Sequence, residues 1–256
     1  MEGKCLIITG MHRSQTSLVA KVIGESGLFL GTSLIPGNEY NPSGHFEDSN
    51  LVNFHIDLMN NRNLTHRVQQ YNFTPKQNDS WTPSELNQAQ IILKEHFDVD
   101  QFGWKDPRAV FFLDGWQHLI PNSFFLFTYR HPAAVVNSLL RRSLAQRIIK
   151  FRPDLIWRLL NHWKNANTRI LNHLVTFPER CILLHCHDDL IDPNTPDRIH
   201  TKISNMWGIK ISKPDLITSY EPALNHSGKR NIWIDQILKM RPDVLNLFKA
   251  LDEHRI

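Results

Sequence analysis

Arg13, Ser14, Thr16 and Ser17 put a guanidinium and three hydroxyls into one short polar stretch, between the run Lys4-Cys-Leu-Ile-Ile-Thr-Gly10 and an amphipathic run that begins at Leu18. A loop that closes a strand and opens a helix aims unpaired backbone N–H groups at one point, where the helix dipole adds partial positive charge. The chemistry that suits it is the holding of a phosphate or sulfate ester. A triphosphate loop of pattern G-x-x-x-x-G-K-[ST] starting at Gly10 would need Gly at position 15 and Lys at 16, where this chain has Gln15 and Thr16. A phosphate-loop kinase of a small molecule, which depends on that lysine and on Mg²⁺, is the rival that this difference opposes. The plainer alternative is that the polar residues only cap a helix.

A second cation, Arg130, ends the apolar run Asn122 to Tyr129, and Ser138 lies eight residues beyond it. Two cations that follow two buried strands belong on one rim of a parallel sheet, which implies a ligand with two anionic groups. Ser138 falls about two turns into the next helix, so it faces the helix start only if the chain bends or the ligand extends along it. Cys181, His185, Cys186, His187 and Asp188 are metal-ligand types, but strand alternation leaves only His185 with His187, or Cys186 with Asp188, on one face. No metal is expected there.

The elements that must position these residues follow from periodicity. Residues 24 to 44 are rich in turn formers and read as one long loop, which ends at His45-Phe46-Glu47-Asp48-Ser49 before a helical pattern through Leu51, Val52, Phe54, Ile56 and Leu58. Residues 62 to 81 look irregular, and Thr82-Pro83-Ser84-Glu85 starts a further helix. Gln101 to Lys105 reads as a short strand, Asn122 to Tyr129 as a buried parallel strand, and Arg180 to His187 as the last strand. Helices are expected from Pro132, from Pro153 and over Thr195 to Trp207. The alternation describes a three-layer α/β/α architecture with a mainly parallel central sheet, whose ligands bind at the carboxyl ends of the strands.

Composition bounds the function. The 256 residues suffice for one substantial α/β core and no Pro- or Gly/Ser-rich linker divides them, so residues 1–256 are expected to form a single domain. A formal charge of +4, spread along the chain, favours small anionic ligands over nucleic acid. Three cysteines, Cys5, Cys181 and Cys186, are too few for a disulfide framework, and no apolar run reaches the length of a signal segment or membrane span. These features fit a cytoplasmic protein without membrane insertion.

Four blocks in order carry a resemblance: Gly10-Met-His-Arg-Ser-Gln-Thr-Ser17, Asn41-Pro-Ser-Gly-His-Phe-Glu47, Lys105-Asp-Pro-Arg108 and Arg130-His-Pro132. They are similar to the G-M-H-R-S-G-T-S, N-P-x-G-[YF]-x-E, K-D-P-R and R-H-P blocks of bacterial sulfotransferases that use 3′-phosphoadenosine 5′-phosphosulfate (PAPS). The resemblance implies the P-loop NTPase-like sulfotransferase fold and a metal-independent, in-line transfer of SO₃ from PAPS to an acceptor hydroxyl. It implies that Arg13, Ser14, Gln15, Thr16 and Ser17 hold the 5′-phosphosulfate, while Arg130 and Ser138 hold the 3′-phosphate. Among catalytic groups, Glu47 resembles the family base, with His45 and Asp106 in reserve, and Lys105 resembles the lysine near the bridging oxygen. Asp106 or Arg108 is the alternative structural partner of that lysine.

The departure is Gln15, where the family pattern has Gly. A positive φ at that position would add strain of roughly 1 to 2 kcal/mol. A non-catalytic nucleotide-binding module is therefore a further rival. Arg141, Arg142, Arg147, Lys150 and Arg152 form a basic series that suits an anionic glycan, and a carbohydrate or glycolipid hydroxyl is the expected acceptor. Asn225-His-Ser-Gly-Lys-Arg230 resembles the family's loop over the nucleotide, and acceptor choice is expected to reside in residues 31 to 47, 62 to 81 and 141 to 152.

Overall fold

The computed structural model describes residues 3–38, 44–64, 80–145, 153–220 and 232–256. Asn41 to Ser43, most of the stretch from 62 to 81, Arg147, Lys150, Arg152 and the segment Asn225 to Arg230 lie outside the described residues. Four strands, β1 (Lys4–Gly10), β2 (Gln101–Lys105), β3 (Ser123–Tyr129) and β4 (Cys181–His185), form a sheet in the order β2-β1-β3-β4. All three pairings are parallel, with Ile8 opposite Lys105, Gly10 opposite Thr128 and Tyr129 opposite His185.

Parallel strands bury both faces, which is why each reads as a nearly continuous apolar run. On one face Cys5, Ile7, Phe102, Trp104, Phe125, Phe127, Cys181 and Leu183 enter a single core. Its cover comes from α2 (Ser49–Asn61), α3 (Pro83–His96), α4 (Leu113–Leu119), α5 (Pro132–Ala145) and α6 (Pro153–Thr176), with further helices described below. On the other face Leu6, Ile8, Leu126, Ile182 and Leu184 meet Val19 and Ile23 of α1 (Thr16–Glu25). The short α7 (Asp188–Ile191), α8 (Thr195–His200) and α9 (Leu216–Ser219) complete that layer through Leu190, Ile199 and Leu216. The last two helices, α10 (Ile232–Lys239) and α11 (Pro242–Asp252), return to the first face through Ile234, Leu238, Val244 and Leu251.

The chain moves from β1 outwards to β2 on one side and then to β3 on the other, so the strand order reverses between β1 and β3. Crevices at such a reversal, beyond the carboxyl ends of the strands, are where doubly wound sheets take ligands. Gly10 permits the close approach of these two strands: a Cβ there would lie 2.2 Å from the Thr128 carbonyl oxygen.

Two expected elements differ in detail. The expected helix over Thr195 to Trp207 is α-helical only to His200 and continues as a π-helix over Thr201–Met206, in which Trp207 N donates to Lys202 O at 3.0 Å. The wider turn lets Trp207 stack on Phe124 of β3 at 4.6 Å. The last strand stops at His185 rather than His187, because Asp189 Oδ2 accepts from His185 N at 2.5 Å and turns the chain into α7. No helix among the described residues is long and apolar enough to cross a membrane.

Candidate active site

The loop between β1 and α1 contains two left-handed residues, Arg13 (φ 70°) and Gln15 (φ 59°). Ser14 N donates to Met11 O at 3.2 Å, closing a tight turn that aims the loop at the sheet's carboxyl edge. The Ser14 hydroxyl is buried and has no hydrogen-bond partner among the described residues. Gln15 precedes the first turn of α1 and supplies no side-chain cap, so the donors of that turn are left open to an anion. Ser17 Oγ donates to His45 O at 3.3 Å, tying α1 to the segment that carries Glu47.

Arg130, at the end of β3, donates from Nη1 to Arg13 O at 3.3 Å, and Arg13 Nε donates to Ser138 Oγ at 2.9 Å. The expected meeting of Arg13 and Arg130 on one rim is observed. Ser138 reaches the same point by a different route from the one expected. α5 continues unbroken past it, and the long Arg13 side chain crosses to meet it on the second turn. Burial, followed by the positive charges of Arg142 and Arg130, pulls the Arg13 pKa below its ordinary value. Such a concentration of guanidinium groups around buried hydroxyls suits a bidentate oxyanion such as phosphate or sulfate. Within the basic series, Arg142 adds its positive charge to the surroundings of Arg13, while Arg141 is exposed.

The described parts of the stretch after α1 are tied together by regular backbone pairing. Leu34 and Asp48 form an antiparallel bridge, and Ile35 N donates to Glu47 O at 2.8 Å. This return, with Phe46 at φ 53°, delivers Glu47 to the rim. The start of α2 is capped by Asp48, whose Oδ1 accepts from Asn50 N at 2.9 Å, so Glu47 is released from the capping role. Its carboxylate is buried beside two cations instead, with Lys105 Nζ donating to Oε1 at 2.6 Å and Arg108 Nη1 donating to Oε2 at 3.4 Å.

Lys105 ends β2 with its side chain buried. Burial pulls its pKa down, and the Glu47 carboxylate opposes that shift. A close, charge-assisted pair is what compensates the desolvation of two buried ions. The partner of Lys105 is thus Glu47, while Asp106 and Arg108 pair with each other at 2.8 Å. Asp106 is fully buried and has both oxygens committed, Oδ1 to Arg108 and Oδ2 to His55. Burial alone would raise its pKa, but Arg108 and His55 hold it well below the carboxylate range.

His45, the other reserve base, has its pKa lowered by burial against the opposing charge of Glu47, and its Nε2 lies 2.9 Å from Asn38 Nδ2. His12 lies in the same field without having been singled out from the sequence. Burial and then the Arg108 charge push its pKa well down, and its Nε2 has no hydrogen-bond partner among the described residues. His55 was equally hidden, being one polar residue within the apolar pattern of α2. The two histidines at and beyond the end of β4 diverge: His185 Nδ1 pairs with Asp188 at 3.2 Å and His187 Nδ1 with Tyr220 Oη at 2.8 Å. Among the described residues no three metal-ligating side chains come together.

The rim thus combines a phosphate-type loop, a second arginine and a carboxylate paired with a buried lysine. Two solved structures share the architecture. The chain covers 91% of itself and 73% of sulfotransferase STF1 from Mycobacterium tuberculosis H37Rv at 14% identity and a TM-score of 0.53. It covers 97% of itself and 76% of sulfotransferase STF9 from Mycobacterium avium at 11% identity and a TM-score of 0.53. At these identities the likeness shows the fold. No curated protein sequence matches the chain significantly. The model of the sulfotransferase family matches residues 6–195, from β1 to the start of α8, and the chain belongs to that family.

Proposed function

We propose that the protein transfers a sulfuryl group from PAPS to an acceptor hydroxyl in line, without a metal, and that the hydroxyl belongs to a carbohydrate or glycolipid. The observation that carries the donor assignment is the convergence of Arg13, Arg130 and Ser138 at the reversal point of the sheet, beside the buried Ser14 hydroxyl. The arrangement fits a nucleotide with phosphate at both ends: the loop of Arg13 to Ser17 takes the 5′-phosphosulfate, and Arg130 with Ser138 takes the 3′-phosphate. The acceptor assignment draws support from the positive charge of Arg142 beside the same rim.

In this reading Glu47 accepts the proton of the acceptor hydroxyl as that oxygen attacks sulfur, and Lys105 and Arg13 meet the negative charge that grows on the departing phosphate. The 2.6 Å pair between Lys105 and Glu47 holds base and cation on one buried spot. When Lys105 turns to the phosphosulfate, it frees the Glu47 Oε1 lone pair for the hydroxyl proton. Calorimetric titration with adenosine 3′,5′-bisphosphate, beside ATP with Mg²⁺ and 5′-AMP, tests the donor assignment. Micromolar binding of the bisphosphate alone is expected. Equal binding of ATP would favour a kinase, and no binding would favour a degenerate module.

A further inference from the structure

The indole N–H of Trp116 can only donate, and it lies 2.9 Å from His55 Nε2. That nitrogen is therefore the bare acceptor of the neutral ring, and the ring proton sits on Nδ1. Nδ1 donates to Asp106 Oδ2 at 2.8 Å, with both side chains fully buried. The other oxygen, Asp106 Oδ1, accepts from Arg108 N and from Arg108 Nη1, each at 2.8 Å. Arg108 Nη1 then reaches Glu47 Oε2 at 3.4 Å. A continuous hydrogen-bonded chain thus runs from the aromatic core to Glu47. The imidazole at its origin is held by Phe112, stacked at 5.7 Å with an 8° interplanar angle, by the tilted ring of Phe54 and by Trp116 in an edge contact.

We propose that His55 is a positioning residue for sulfuryl transfer, a role that rests on the reading of Glu47 as base. The contact from Arg108 to Glu47 is longer than the 2.7–2.9 Å of a strong charge-assisted bond, so the direction of the guanidinium decides how firmly Oε2 is held. That direction is set by Asp106, and the Asp106 carboxylate is kept from rotating by the His55 N–H. Trp116 completes the device by donating to Nε2, so that the second ring nitrogen is also satisfied while Nδ1 donates to Asp106.

His55→Asn keeps an N–H donor near the Nδ1 position, whereas His55→Leu removes it at similar volume. Both should bind adenosine 3′,5′-bisphosphate within about twofold of the parent, because neither touches the arginines of the rim. His55→Leu should lose about tenfold or more in kcat with the KM for PAPS unchanged, and His55→Asn should recover most of it. In ¹⁵N spectra the Arg108 Nη signals should stay separate in the parent and in His55→Asn, and merge in His55→Leu as the Asp106 carboxylate turns and loosens its hold on the guanidinium. Wild-type kcat in His55→Leu, or an equal loss in both variants, would overturn the proposal, as would Arg108 signals that stay separate without the donor. Should His55→Leu not fold, His55→Met, which likewise removes the donor to Asp106, carries the test: it should lower kcat with the KM for PAPS unchanged, and an unchanged kcat would overturn the proposal. A parent that turns over no acceptor would instead refute the sulfuryl-transfer reading, while the His55 and Arg108 spectra still decide the positioning.

Discussion

Gln15→Gly stabilises the fold by about 1 kcal/mol while leaving nucleotide affinity within about threefold. Gln15 is held at φ 59° and ψ 25°, where an L-residue with a Cβ carries roughly 1 to 2 kcal/mol of strain. Its Oε1 is also buried without a hydrogen-bond partner among the described residues, a further penalty of about 1 kcal/mol or more. Against these stand the greater freedom of glycine in the unfolded chain, about 0.4 to 1 kcal/mol, and the lost packing of a half-buried stem, about 1 kcal/mol. The balance favours glycine. With an unfolding entropy of about 2.1 cal/mol/K per residue, 1 kcal/mol in a chain of 256 residues raises Tm by about 2 °C. Gln15→Ala separates the contributions, because it removes the orphaned carbonyl but keeps the Cβ in the left-handed region. Scanning calorimetry should rank glycine above alanine, and Gln15→Val below the parent. Alanine equal to glycine would refute the strain argument. Since the folded loop already holds the left-handed turn, the strain burdens folding rather than binding; a tenfold tighter bisphosphate complex in Gln15→Gly would refute that division.

Glu47→Gln keeps the shape and removes the basic oxygen, so turnover should fall by about 10² to 10⁴ with bisphosphate affinity retained; unchanged kcat would transfer the base role to His45, since both Asp106 oxygens are committed. Among the described residues, Lys105→Met leaves the buried Glu47 carboxylate with only the 3.4 Å contact from Arg108, and urea unfolding should show a loss of about 3 kcal/mol; a loss near zero would mean that the pair carries no net stability. His173 of α6 is packed on Phe125 at 4.3 Å, and burial lowers its pKa to about 4. The unfolded chain takes up a proton below about pH 6.5 that the folded ring excludes, so this residue makes stability fall as pH drops from about 6.5 towards 4. His173→Phe should therefore lose about 2 kcal/mol less than the parent between pH 7 and pH 5, as read from urea midpoints. An identical loss in both proteins would exclude His173 as a source of the acid sensitivity.

What the sequence reveals of this fold is local, and what it conceals is pairing at a distance. The four strands stand within two residues of their expected bounds, because burial on both faces writes a parallel strand as an apolar run. Asp48 is readable as a cap and Thr82 with Glu85 as a capping box, since each acts within three residues of itself. The rim position of Arg13 and Arg130 is equally accessible, as it requires only that both follow parallel strands. Nothing local shows that Glu47 meets Lys105 across 58 residues or that Arg13 crosses 125 residues to Ser138. Those contacts depend on the register of β1 against β2 and on the return of residues 33–35 along 47–49.

His55 shows the same limit from the opposite side. As a polar residue among the buried positions Leu51, Phe54 and Leu58, it looks like an interruption of the helix's buried face. Its environment explains its presence: one ring nitrogen accepts from Trp116 and the other donates to Asp106. A leucine there would pack against Phe54 and Phe112 but leave an indole N–H and a carboxylate oxygen each short of a partner in the core, and each such loss costs about 1 to 3 kcal/mol. An interrupting histidine in a buried face is thus a signal that two distant polar groups converge there, although only the folded chain names them.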